Sequence, residues 1–375
     1  MPPRRSLCIF EIIFVIVLAT TNGSLVIGDP SGCKFPAIYN FGDSNSDTGA
    51  NSAAFTQVPA PYGETFFKKP FKRLSDGRLI IDIIAEKLGM PYLNAYLDSI
   101  GTSFRHGANF AAAGSSILPG PFSPFDLAAQ MSQFSQFKSR TAELYCNSSS
   151  SASDGTIPNP DDFSKALYTF DIGQSDLTLA FQNRTPPRVI ISTFPGILDR
   201  LSQSLQQLYG EGARAFWIHN TGPIGCLPLM AFQFRFRGGT LDSNGCVGFM
   251  NDVAQEFNRQ LKGSVAQLRA QLPLAKLTYV DIYSSKLELI INAKSQGFAN
   301  PLDNCCGTFL PYVVMCGTSM QLNGTTIHGS SCSDPSTRIS WDGIHYTEAA
   351  NLWVASRILN GSFSDPPVPI SGACP

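Results

Sequence analysis

The chain has 375 residues, 43% of them hydrophobic, and 27 Lys and Arg against 28 Asp and Glu, a formal charge of −1. That is ample material for one large core. Near-neutrality without any Lys/Arg run argues against nucleic acid as a ligand.

The N-terminus reads as a targeting segment. Arg4 and Arg5 precede an apolar run from Leu7 to Leu18, broken only by Glu11, and small or polar residues follow from Ala19 to Ser24. This is the order of a secretory signal peptide. The run is shorter than the ~20 apolar residues a bilayer span requires, so no transmembrane anchor is predicted. Residues 1–23 are assigned to the signal, with cleavage falling between 19 and 29, and residues 24–375 to a single domain.

Ala37 to Phe41 is apolar and β-prone, a short buried strand, and Gly42-Asp43-Ser44 breaks it into a turn. Ile80, Ile83, Ile84 and Leu88 recur at helical spacing up to Gly89. Pro91 to Leu97 reads as a short strand, Ala108 to Ser116 as a turn-rich stretch, and Asn147 to Pro160 as an exposed loop. Ala166 to Phe170, Ala213 to His219 and Leu277 to Ile282 read as further strands. Helices are predicted at Val189–Tyr209, with Pro195 near its start or kinking it, and at Phe249–Leu272. Thr347 to Leu359 is a last helix with Thr347 as its N-cap. Phe232, Phe234 and Phe236 alternate at period two, which suggests a half-buried strand or the lining of an acyl pocket. Strands alternating with helices predict a mainly parallel sheet covered on both faces.

Ten cysteines are present; Cys8 leaves with the signal, and nine remain. In an oxidising compartment these should pair. Spacing suggests Cys226 with Cys246, and Cys305 or Cys306 with Cys316. An odd count leaves at least one free or bonded to another chain. No Cys-x-x-Cys or His cluster suggests zinc. Asn147, Asn183, Asn323 and Asn360 each open an Asn-x-Ser/Thr sequon, and a fifth at Asn22 lies by the cleavage zone; these are candidate glycosylation sites in surface loops.

A serine hydroxyl needs a base, and the base needs a group to hold its ring. Among His106, His219, His328 and His345, the last has the most telling setting. Asp342 lies three residues before it, close enough to meet Nδ1 and leave Nε2 free for a hydroxyl. His219 is expected near the core edge, and His106 and His328 in exposed loops. Asn109 to Gly114 is a small-residue loop where a backbone N–H can approach a ligand, and Gly173 to Asp176 follows a strand end. Such donors can form an oxyanion hole.

Phe41-Gly42-Asp43-Ser44, Asn109 to Gly114, Gly173 to Asp176 and Asp342-Gly343-Ile344-His345 together resemble the ordered blocks of plant GDSL-type esterase/lipases of the SGNH hydrolase superfamily. Arg73 to Arg78, Asn220 to Cys226 and Cys305-Cys306-Gly307 extend the match over nearly all of the mature chain. The resemblance implies a three-layer α/β/α sandwich, flavodoxin-like, with Ser44 as nucleophile, His345 as base and Asp342 orienting it. It implies oxyanion donors at the N–H of Ser44, the N–H of Gly114 and position 175, where the family usually has asparagine and this chain has Ser175. No cofactor or metal is implied. The expected activity is ester hydrolysis, by a secreted enzyme of the cell wall, vacuole or extracellular space, on a small-molecule, glycoside or lipid ester. The alternatives are acyl transfer to an alcohol through the same acyl-serine, or a weakly active or non-catalytic glycoprotein because of Ser175.

Overall fold

The computed structural model describes residues 32–147 and 155–375. The predicted signal segment and part of the Ser-rich stretch after Asn147 lie outside the described residues.

The chain opens with β1 (Ile38–Gly42), the short helix α1 (Ala50–Ala54) and α2 (Ile80–Lys87). β2 (Gly107–Asn109) starts the small-residue stretch, and α3 (Leu127–Asn147) follows. β3 (Leu167–Asp171) leads into α4 (Gln174–Gln182) and α5 (Pro187–Gly210), which contains Pro195 within its length. Then come β4 (Ala215–His219), α6 (Pro228–Phe236), α7 (Gly248–Gln271), β5 (Lys276–Val280) and α8 (Ile282–Ile291). The hairpin β6 (Ser319–Leu322) and β7 (Thr325–His328), α9 (Glu348–Ile358) and β8 (Ser364–Asp365) complete the order.

The main sheet runs β2-β1-β3-β4-β5-β8, parallel throughout except at β8, which pairs antiparallel with β5. Every residue of β1, β2, β3 and β4 is buried, as expected of strands covered on both faces. Helices α3, α5 and α7 pack together on one face, and α2, α8 and α9 on the other. The predicted three-layer α/β/α architecture is thus present. Tyr39 and Phe41, two apart on β1, both meet Phe134 of α3, with ring centroids at 5.3 and 5.8 Å. In a doubly wound sheet of this order, the strand direction of crossover reverses between β1 and β3, which opens a crevice at their carboxyl ends.

Thr347 caps α9 as predicted, its hydroxyl accepting from Ala350 N at 3.2 Å. Four expectations are corrected. Phe232, Phe234 and Phe236 lie in the helix α6, which starts at Pro228, where proline is favoured because its missing N–H would be unbonded anyway. Pro91 to Leu97 contributes only one bridge, Ala95 to Asn109, and Ile282 begins α8 instead of ending β5. His328 is exposed but ends β7, in a hairpin whose Asn323-Gly324 turn is left-handed at both residues.

Disulfides join Cys33–Cys374, Cys226–Cys246, Cys305–Cys332 and Cys306–Cys316. Spacing had suggested the second and fourth. No described cysteine is free, so the leftover thiol expected from the odd count is not seen among the described residues.

Candidate active site

β1 ends at a residue that has to be glycine. A Cβ on Gly42 would fall 2.3 Å from Ser46 Oγ and 2.6 Å from Asp171 O. Gln130 of α3 brackets the same peptide, accepting from Gly42 N at 2.9 Å and donating to Gly42 O at 2.8 Å. The chain then turns with Asp43 buried and Ser44 half-buried at the tip.

A buried polar network sets this turn. Asn40 Nδ2 donates to Asn109 Oδ1 (2.7 Å) and Ser46 Oγ (3.0 Å), and Thr169 Oγ1 donates to Asn40 Oδ1 (2.7 Å). Asn109 Nδ2 donates to Ser46 O and Thr48 Oγ1. Asp47 accepts from the N–H groups of Gly49, Ala50 and Asn51, and from Ala113 in the loop after β2. A fully satisfied buried network of this kind holds one geometry.

The other half lies in the segment before α9. Asp342 Oδ1 accepts from Ile344 N (2.9 Å) and His345 N (2.8 Å). Asp342 Oδ2 meets His345 Nδ1 at 2.7 Å and accepts from Tyr62 Oη at 2.9 Å. Four donors therefore converge on one carboxylate. Burial opposes its charge, but the His345 charge and these bonds outweigh that and hold its pKa below the ordinary carboxylate value. For His345, burial opposes protonation, yet the Asp342 carboxylate outweighs it and the pKa lies above 6.5. His345 Nε2 is buried and bonds to no described group.

Disulfides brace this segment. Cys305 N donates to Ser340 O at 2.9 Å and Cys306 N to Trp341 O at 2.6 Å. Trp341, Tyr62, Val58 and the buried cysteines Cys305, Cys306 and Cys316 form their own small core. The Arg73-to-Arg78 stretch is structural: Asp76 accepts from Glu348 N at the start of α9 (2.7 Å), and Arg78 pairs with Glu348 and Glu86.

The three predicted donors follow three adjacent strands: Ser44 after β1, Gly114 after β2, Ser175 in the first turn of α4 after β3. The N–H groups of Ser44 and Gly114 and the hydroxyl of Ser175 make no hydrogen bond to any described residue. Gly114 has φ +78, and a Cβ there would meet Phe122 O at 2.9 Å. Asp176 ties α4 to the same loop, accepting from Ile117 N (2.9 Å) and Leu118 N (3.2 Å).

Below Ser44 the carboxyl ends of the strands carry charge. Burial, then the neighbouring Asp171 carboxylate, push Asp43 up to about 7. Asp171 stands 3.4 Å from His219 Nδ1, an ion-pair distance and not a hydrogen bond. Burial would raise Asp171, but His219 and Lys286 outweigh it, and its pKa is lowered.

A groove of about 700 Å³ opens beside the His345 segment, lined by Phe232 and Phe236 of α6 and by Phe309. Phe309 stacks on Phe232 with centroids 5.3 Å apart and lies against Gly343, where a Cβ would come 2.5 Å from the ring. The phenylalanines of α6 thus do line a groove, two of the three on one helical face. Phe122, 44% exposed, sits against Gly114. Tyr62, Asp47 and Lys286 escaped sequence reasoning. Asp47 had a signal in its position just before a helix start, whereas the other two carried none.

The profile of the GDSL-like lipase/acylhydrolase family matches residues 38–358. A GDSL esterase/lipase of Arabidopsis thaliana is 51% identical over 351 residues, covering 91% of this chain and 90% of the relative. An esterase of Hevea brasiliensis is 49% identical over 355 residues, covering 91% and 90%. A protein of Arabidopsis thaliana named alpha-L-fucosidase 3 is 46% identical over 342 residues, covering 88% and 91%.

Proposed function

This chain belongs to the GDSL-like lipase/acylhydrolase family and is a carboxylic ester hydrolase, and from that premise we propose that it works through an acyl-serine on Ser44. His345 Nε2 takes the Ser44 proton as Oγ attacks the ester carbonyl. Asp342 holds the ring with Nδ1–H donated and stabilises the imidazolium. The N–H groups of Ser44 and Gly114 and the hydroxyl of Ser175 receive the oxyanion. The imidazolium then protonates the departing alcohol, and water, deprotonated by the same nitrogen, releases the acid.

One observation carries this reading. His345 is oriented by a fully engaged carboxylate and keeps a buried, unbonded Nε2, while three uncommitted donors sit at the ends of neighbouring strands. Glycoside cleavage would need two free carboxyl groups flanking the bond. Asp342, Asp47 and Asp176 are each engaged by two or more N–H donors, and Asp43 and Asp171 are buried, which favours acyl chemistry.

Secretion is part of the proposal. Four disulfides fit an oxidising compartment. Asn183, Asn323 and Asn360 are exposed, as glycan acceptors must be; Asn147 closes α3, and its side chain is not among those described.

Fluorophosphonate labelling of the purified protein with peptide mapping tests the mechanism. Attachment at Ser44, lost in His345→Ala, is expected. A wild-type protein that hydrolyses esters but labels elsewhere would overturn it.

A further inference from the structure

Strand β2 stops at Asn109, so β1 loses a neighbour just before the turn that carries Ser44. Up to that point alternate residues of β1 bond towards β2: Ile38 N donates to His106 O and Asn40 O accepts from Phe110 N. Gly42 is next in that alternation. There the side-chain amide of Gln130, on α3 and 0% exposed, supplies the rung that β2 no longer can. Its Oε1 accepts from Gly42 N at 2.9 Å and its Nε2 donates to Gly42 O at 2.8 Å, as a neighbouring peptide would. Gly42 N can only donate, and that fixes which end of the amide is the oxygen.

The second hydrogen of that amide goes to the loop after β2. Gln130 Nε2 also donates to Phe125 O at 3.0 Å, and Phe125 O accepts from Ser115 Oγ at 2.6 Å. Ser115 follows Gly114, while Asp47 Oδ2 accepts from Ala113 N just before it at 2.9 Å. Phe122, in the same loop, packs its backbone against Gly114. One buried side chain thus ties the peptide of Gly42, two residues before Ser44, to the residue after Gly114. No step proposed above uses Gln130, yet its whole donor capacity is spent on this link.

We infer that Gln130 is a positioning residue for ester hydrolysis: its amide sets the spacing between the two backbone oxyanion donors, the N–H groups of Ser44 and Gly114. This rests on the acyl-serine reading above. Such donors act where charge develops in the transition state and not on the bound ester, so displacing them lowers kcat and leaves KM in place. A trifluoromethyl ketone reads the same geometry at equilibrium. Ser44 Oγ adds to its carbonyl carbon, the Ser44 proton passes to His345 Nε2, and the carbonyl oxygen becomes the oxyanion.

The test measures kcat and KM on a chromogenic short-chain ester, the Ki of a trifluoromethyl ketone, and thermal melting. The proteins are wild type, Gln130→Met, Ser115→Ala and Ser44→Ala. Gln130→Met keeps the length of the side chain and removes all three hydrogen bonds. It should lower kcat about 10²-fold with KM unchanged, and raise Ki by a similar factor. A glutamine that only stabilised the fold would lower the melting temperature and leave kcat and Ki of the folded enzyme at wild-type values, which overturns the inference. A loss confined to KM overturns it too. Should Gln130→Met not fold, Ser115→Ala cuts the same chain of bonds at its other end. It should move kcat and Ki in the same directions by smaller factors, and wild-type values there overturn the inference. Ser44→Ala separates the two readings. Wild-type rates in that variant sink the nucleophile assignment, whereas lost activity there beside wild-type kcat in Gln130→Met sinks only the role of Gln130.

Discussion

Replacing Asp342 by asparagine should stop catalysis without dismantling the site, and the hydrogen bonds say why. Oδ1 accepts from two backbone N–H groups, Ile344 and His345, which cannot turn away. The asparagine must therefore keep its carbonyl oxygen there and put its NH₂ group where Oδ2 was, facing His345 Nδ1 and Tyr62 Oη. Tyr62 can adapt by turning its hydroxyl into an acceptor. His345 can adapt only by accepting at Nδ1, which moves its proton to Nε2, the nitrogen that takes the Ser44 proton in the proposed mechanism. The base is then in the wrong tautomer. A triad carrying this change loses about 10⁴ in kcat, or about 5.4 kcal/mol of barrier at 1.36 kcal/mol per decade. KM should change little, because Asp342 is buried and spends its hydrogen bonds on Ile344, His345 and Tyr62. Steady-state hydrolysis of a chromogenic ester, with thermal melting to confirm folding, is the assay. Activity within tenfold of wild type in a folded Asp342→Asn would refute the assignment of Asp342 as the group that fixes the base.

Tyr62→Phe removes only one of the four donors and leaves the tautomer intact. It should cost about 1.5–3 kcal/mol of stability, as for a hydrogen bond to a charged group, read by urea denaturation, with a rate loss far smaller than that of Asp342→Asn. Ser175→Ala should lower kcat about 10²-fold if its hydroxyl is the third oxyanion donor; an unchanged kcat would leave the oxyanion to the two backbone N–H groups. Asp43 gives a pH signature in stability. Its folded pKa of about 7 lies above the ordinary 3.8, so the native state binds more protons than the unfolded chain between those values and stability falls as pH rises through that window. Asp43→Asn removes this dependence, and melting curves should show the variant gaining on wild type from pH 5 to pH 8. A constant difference across that range would contradict a buried, raised carboxyl.

How much of this was legible in the chain follows from distance along it. Asp342 and His345 are three residues apart, so a single turn brings carboxylate and ring together, and that pairing could be read directly. The same holds for Gly42, where the strand must stop, and for Thr347, whose hydroxyl reaches an N–H three residues on. α2 and α7 carried apolar residues at helical spacing and β1 a short apolar run, so local pattern and tertiary demand agreed. In α6 they did not: three phenylalanines at alternate positions imitate a strand, and the stronger signal was Pro228 at the first helical position.

What the chain by itself determined was therefore its set of parts: a strand ending at a serine, small-residue and polar loops after further strands, and a histidine with its own carboxylate. Only the tertiary structure decided which distant groups tune them. Tyr62 reaches Asp342 across 280 residues, and Cys33 finds Cys374 across 341. Asp43 N donates to Asp171 O only because β1 and β3 lie side by side. Local sequence sets backbone propensity over a few residues, but the charge felt by His345 is a sum over groups that only folding assembles.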